Sequence, residues 1–148
     1  MILTEILNIY LAGGMCKFGK EKFNMSNEWR IFVKQYLENN VTDIKVNCIN
    51  PNNYFSFADK EPLFESQREV MEFDLNKVRN SDLIIINFND KYSLGSMAEL
   101  AIAYERRTPV IGLNIENQEL HPWQIEMTNR IFNDINKMLE YIKDFYMT

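Results

Sequence analysis

The run Leu83-Ile84-Ile85-Ile86 constrains this chain more than any other segment. Consecutive branched apolar residues without polar alternation form a strand covered on both faces, and such strands belong to parallel sheets flanked by helices. Ile6 to Ala12, rich in apolar residues and stopped by Gly13-Gly14, reads as an earlier strand, with Lys45 to Ile49 and Pro109 to Leu113 as two more. Four segments between and after them have helical spacing. The first is capped by Asn27 and carries Trp29, Phe32, Val33, Tyr36 and Leu37. Glu65 to Arg79 aligns Met71, Leu75 and Val78; Ser96 to Arg106 follows, and the last runs from about Asn133 to Tyr146. Residues 15–26, 51–64 and 114–128 read as loops, the second rich in aromatic side chains. The order β-α-β-α-β-α-β-loop-α predicts an α/β fold, one domain over residues 1–148, with helices on both faces of a mostly parallel sheet of four to five strands.

Composition narrows the function classes. The 148 residues carry 21 acidic and 16 basic side chains, a formal charge of −5, which argues against a broad nucleic-acid surface but leaves room for a small phosphorylated ligand. No apolar run nears the ~20 residues needed to cross a bilayer, and no basic segment precedes a hydrophobic one as a secretory signal would require. A cytoplasmic protein without nucleic-acid or membrane partners is therefore expected, with Cys16 and Cys48 as reduced thiols. With one histidine, His121, there is little from which to build a zinc site or a Ser-His-Asp triad. Carboxylates are the expected chemical agents.

Ligands of open parallel sheets bind beyond the carboxyl ends of the strands. Here those ends deliver Gly13-Gly14, Asn50-Pro51, Asn89-Asp90 and Asn114. The segment from Asn89 to Glu99 joins a buried strand to a helix, a geometry that aims free backbone N–H groups at an anion. Glu99 is expected in the first turn of that helix, where the dipole favours an ionised carboxylate able to attack a sugar carbon. Ser96-x-x-Glu99 also reads as a capping box, in which the glutamate turns back to its own helix. Asp74 shares a helix side with Val70 and Val78; it either serves a ligand or pairs with Lys77 or Arg79. Two carboxylates brought together suit glycosidic chemistry. Gly13-Gly14 is compatible with a phosphate-binding turn or with a plain turn, and no dinucleotide or Walker motif accompanies it. Tyr10 offers a phenol at the strand end or packs in the core. Trp123 stacks on a base or packs in a core or subunit contact, and His121 reads as an exposed loop residue.

The ordered set Ile9-Tyr10-Leu11-Ala12-Gly13-Gly14, Asp74-Leu75, Ser81 to Asn87, Ser93-Leu94-Gly95-Ser96-Met97-Ala98-Glu99, Ala101 to Tyr104 and Thr108 to Ile111 resembles the nucleoside 2-deoxyribosyltransferase family and its 2'-deoxynucleoside 5'-monophosphate N-glycosidase relatives. The resemblance spans about residues 6–113. It implies a single flavodoxin- or Rossmann-like three-layer sandwich and a double displacement without cofactor. In it, Glu99 attacks the anomeric carbon of a nucleoside or nucleoside monophosphate, Asp74 assists the departing base, and Tyr10 orients the nucleophile. A free nucleobase, or water in the hydrolases, then takes the sugar. Substrate-binding roles fall on Gly13, Gly14, Asp90, Ser93 and Gly95. Ser93 stands where the transferases carry an aspartate that reads the 5'-hydroxyl and the nucleotide hydrolases a serine that admits a 5'-phosphate; Asp90 is the alternative hydroxyl reader. A homo-oligomer is expected, with Thr128 or Asn129 completing a neighbour's pocket. A catalytically silent nucleotide-binding domain is the reading from a different class.

Overall fold

The computed structural model describes residues 5–15, 20–40, 42–54 and 64–148. Five strands form one parallel sheet: β1 (Glu5–Gly13), β2 (Ile44–Ile49), β3 (Leu83–Asn87), β4 (Val110–Leu113) and β5 (Arg130–Phe132), in the order β2-β1-β3-β4-β5. Five helices connect and flank them: α1 (Lys20–Asn39), α2 (Gln67–Arg79), α3 (Leu94–Glu105), α4 (Pro122–Glu126) and α5 (Ile135–Tyr146). The strand order is that of flavodoxin-like folds, and the expected three-layer α/β sandwich is what the chain forms.

Side-chain alternation along the central strands sorts the core into two layers. Ile9, Leu11, Leu83 and Ile85 face one way and pack with Trp29, Val33 and Leu37 of α1 and Met138, Leu139 and Ile142 of α5. Tyr10, Ala12, Ile84 and Ile86 face the other way and pack with Val78 of α2 and Leu100 and Ala103 of α3. All five residues of β3 are buried, as its unbroken apolar run requires. Burying a Leu or Ile side chain contributes roughly 1.5–3 kcal/mol each, so β3 anchors both layers.

Several boundaries differ from expectation. The first helix begins at Lys20, within the segment read as a loop, and Asn27 lies inside it rather than at its cap. The amide oxygen of Asn27 instead accepts from the side chains of Asn50 and Asn52, tying α1 to the turn after β2. The polar run 114–128 contains α4, capped by His121, whose Nδ1 accepts from the Trp123 N–H, and is followed by the unforeseen edge strand β5. Cys48 is buried and burial pushes its thiol up to about 12, so it is inert. Cys16 and residues 55–63 of the aromatic segment lie outside the described residues; Tyr54 and Phe64, at its ends, both pack on Phe73.

Candidate active site

The helix after β3 is capped three residues earlier than its sequence signals indicate, and this changes the standing of Glu99. Ser93 is the cap: its side chain accepts from the Ser96 N–H, and the Ser96 hydroxyl donates to it at 3.0 Å. Glu99 is therefore the sixth residue of α3, outside the first turn, and both expectations built on the first turn fail. It forms no capping box, and the helix dipole does not hold it ionised. Nearly two turns into a helix, its side chain points instead into the layer between α3 and the sheet, where it is 8% exposed.

Tyr10 and Asp74 meet it there. Strand alternation turns Tyr10 toward the α2–α3 layer, and its buried hydroxyl is within hydrogen-bonding reach of the Glu99 carboxylate. Asp74 projects from α2 on the stripe Gln67, Val70, Met71, Asp74, Leu75, the i, i+3, i+4, i+7, i+8 face of a helix. The alternative pairing of Asp74 does not form: the ion pairs among the described residues are Lys34–Glu38 and Arg68–Glu72, and Lys77 lies over the rings of Tyr54 and Phe73.

These side chains line a cavity of about 240 Å³ beyond the carboxyl end of β1, with Gly13 at the end of β1 and Met15 after it, Pro51 after β2, and Ser93, Gly95 and Ser96 at the start of α3 completing the wall. Of the residues expected at the site, Tyr10, Gly13, Asp74, Ser93, Gly95 and Glu99 come together around it. Three do not. Gly14 sits behind the wall, its N–H donating to Asn89 Oδ1 at 2.9 Å. A Cβ on Gly14 would meet that of Asp90 at 2.7 Å, so this close approach demands glycine. Asp90 turns its carboxylate to the Tyr92 N–H. Asn129, expected in a neighbour's pocket rather than in that of its own chain, is at the opposite end of the sheet, where its side chain accepts from the Val110 N–H at the start of β4, and the Thr128 hydroxyl donates to the Gln124 carbonyl.

Sequence reasoning missed Arg30. It is 1% exposed, the largest fully buried side chain among the described residues, and part of the cavity wall. Its guanidinium donates to three main-chain carbonyls, those of Leu11 (3.2 Å), Ser26 (2.8 Å) and Gly13 (2.9 Å), and lies 4.8 Å from the Trp29 ring centroid. A Cβ on Gly13 would stand 3.1 Å from the Trp29 ring and 3.4 Å from Arg30 Nη2. The signal was present: Ser26, Arg30, Val33 and Leu37 share one helix stripe, and all four are buried.

Burial governs the electrostatics. It pushes the Glu99 carboxyl up to about 8; Asp74 adds to the rise, while the Tyr10 hydroxyl and the Arg30 cation oppose it. Asp74 is raised to about 6 by burial against the pull of Arg30. Tyr10 is raised well above its ordinary value by burial and then by the Glu99 charge, so it remains a hydroxyl donor. Burial lowers Arg30 to about 10, leaving it a cation at neutral pH. The two carboxyl groups thus hold about one proton between them near neutrality, and that proton belongs to the pair. A site with one ionised and one protonated carboxyl group, a phenol donor and a fixed cation can supply a nucleophile and an acid together. Among the described residues no group of three His, Cys, Asp or Glu could hold a metal ion, and no helix is long and apolar enough to cross a membrane.

Fold and site together define an α/β protein with a carboxylate-lined cavity at the switch point of a parallel sheet. Among solved structures, the chain is similar to a conserved protein from Enterococcus faecalis V583, with TM-score 0.70 and 18% identity over 94% of this chain and 98% of that one. It is similar to a 2-deoxyribosyltransferase from Bacillus psychrosaccharolyticus, with TM-score 0.66 and 18% identity over 90% and 91%. A CMP N-glycosidase from Clostridium botulinum matches with TM-score 0.59 and 17% identity over 93% and 99%. No family model and no curated protein matches the sequence. The fold is that of the nucleoside 2-deoxyribosyltransferase-like structures.

Proposed function

We propose that this protein is an enzyme of N-glycosidic bonds, a nucleoside 2-deoxyribosyltransferase working through a covalent deoxyribosyl ester on Glu99. One observation carries the reading: Glu99, Asp74 and Tyr10, far apart in sequence, converge on one cavity, where Tyr10 and Glu99 are buried and Asp74 is half-buried at a cost that packing alone does not repay. A Glu99 oxygen attacks C1' as the C1'–N bond breaks, the bonding pair leaves with the base, and the proton of the pair passes through Asp74 to the base nitrogen. Positive charge developing at C1' favours the ionised form of Glu99 at that moment, and Tyr10 holds the carboxylate in line. A second base then attacks C1', freeing Glu99 and returning its proton to Asp74.

A second reading, hydrolysis of a 2'-deoxynucleoside 5'-monophosphate by the same glutamate, draws support from the start of α3. Its cap Ser93 and first-turn residues Gly95 and Ser96 line the cavity without an aspartate among them, and a Cβ built on Gly95 meets nothing within 4 Å. A helix start of this kind favours a phosphate group. Incubation with a deoxynucleoside and a different free base decides between them: an exchanged nucleoside supports transfer, whereas release of base only from the 5'-monophosphate, with water as acceptor, supports hydrolysis. Mass detection of a deoxyribosyl adduct on Glu99 supports the shared mechanism. A fully active Glu99→Gln variant overturns it, and binding of nucleotides without any turnover points to a silent domain.

A further inference from the structure

A fully buried guanidinium is normally matched by a carboxylate, because an isolated buried charge costs several kcal/mol. Arg30 is not matched in that way. Its three hydrogen bonds end on main-chain carbonyls, and no described carboxylate approaches within ion-pair distance. Those carbonyls belong to Leu11 and Gly13 at the end of β1 and to Ser26 of α1, so the cation is locked to backbone beside the cavity, which Gly13 itself lines. The ionisable groups whose charges act on it are Tyr10 of β1, Asp74 of α2 and Glu99 of α3, one from each element around the cavity.

We propose that Arg30 is a positioning residue: a cation held in place by main-chain carbonyls, whose charge is balanced across the cavity by the Glu99–Asp74 pair and which favours the singly ionised state of that pair. A carboxylate bonded directly to Arg30 would be neutralised as a nucleophile. Holding the guanidinium with carbonyls leaves its field directed at the pair while both carboxyl groups stay free. The groups facing Glu99 are Tyr10, Asp74 and Arg30, so Arg30 is the sole cation acting on it among the described residues.

The inference rests on the glycosidic reading for its catalytic meaning, but its test does not. Carboxyl ¹³C titration of the substrate-free protein, with Glu99→Gln and Asp74→Asn for assignment, reports the pair directly. In Arg30→Met the carboxyl midpoints should rise by roughly one to three pH units, the range expected for loss of a nearby opposite charge. Arg30→Lys, which keeps the charge, should return them toward the wild type. If the protein turns over nucleosides, the acid limb of kcat/KM should move upward in Arg30→Met by the same amount; a merely structural role would lower activity at every pH and leave the limb in place. Midpoints unmoved in a folded Arg30→Met variant overturn the proposal, whereas shifted midpoints in a protein without turnover uphold it and sink only the enzymatic reading. Should Arg30→Met not fold, a measurement with Arg30 intact decides. At pH 8, removing one carboxylate should raise the melting temperature, and removing the second as well should lower it by stranding the cation. Additive rises would overturn the balance proposed here.

Discussion

Two hollows flank the first turns of α3. One, about 240 Å³, is lined by Ser93, Gly95, Ser96, Ala98 and Glu99 from this helix; the other, about 600 Å³, takes Leu94 and Met97 from its opposite side, with Lys91, Tyr92 and residues 119–124. The larger hollow is apolar and open: Tyr92 is 80% exposed, Leu94 86% and Trp123 72%. Its polar groups are spent on local structure, Lys91 donating to the Glu119 carbonyl and His121 capping α4. The smaller one gathers four ionisable side chains, three of them less than 10% exposed and all with displaced pKa values. Size alone would choose the other side of the helix; buried groups that strain against their ordinary ionisation mark the side where chemistry is expected.

The contrast can be tested by substitution, beginning with the largest effect. Glu99→Gln should reduce nucleoside turnover by at least about 10⁴-fold and abolish the covalent adduct, as loss of a nucleophile does, with the fold retained by circular dichroism. Asp74→Asn should cost roughly 10²–10⁴-fold, the usual worth of a general acid. A substrate whose base leaves without protonation should recover most of that loss; no recovery would remove Asp74 from the proton path.

A smaller effect concerns the substrate-free protein. Glu99 and Asp74 titrate at about 8 and 6 when folded, both above their unfolded values, so the native state binds more protons than the unfolded chain across the interval from about pH 4 to 8. Stability should therefore be greatest near the acid end of that window and fall by several kcal/mol as pH rises through it. Melting temperatures from pH 5 to 8.5 check the slope, and Glu99→Gln should flatten it. The smallest effect belongs to the other hollow: Trp123→Ala should change turnover less than about twofold, as exposed substitutions usually do. A tenfold loss there would bring the apolar side of α3 into the reaction.

What the sequence made legible follows from signal strength. The strands before β5 are apolar runs bounded by glycine, asparagine or proline, and their order leaves few topologies. β5 has three residues, one exposed and two half-buried, too short to show a period. The start of α3 was misplaced because Ser93 and Ser96 are both good caps three residues apart; Ser93 is the one that caps, and Leu94, although apolar and left in solvent, opens the helix. That small shift decides which way Glu99 points. Asp74 and Tyr10 were legible as candidates from helix side and strand end, but their meeting depends on two crossovers that spacing does not measure. Arg30 was passed over, although its place on the stripe Ser26, Arg30, Val33, Leu37 could have pointed to it, since a lone cation among apolar positions carries little weight in a sequence pattern.

β1 serves two masters. Ile9 and Leu11 knit it to α1 and α5, while Tyr10 between them reaches the cavity. Inserting or deleting one residue upstream would force a choice between keeping the hydrophobic partners and keeping the phenol, because a shift of one position exchanges the faces. The length of this strand is consequently as much a part of the reaction centre as any side chain on it, and divergent copies of this protein should vary the composition of β1 far more readily than its count.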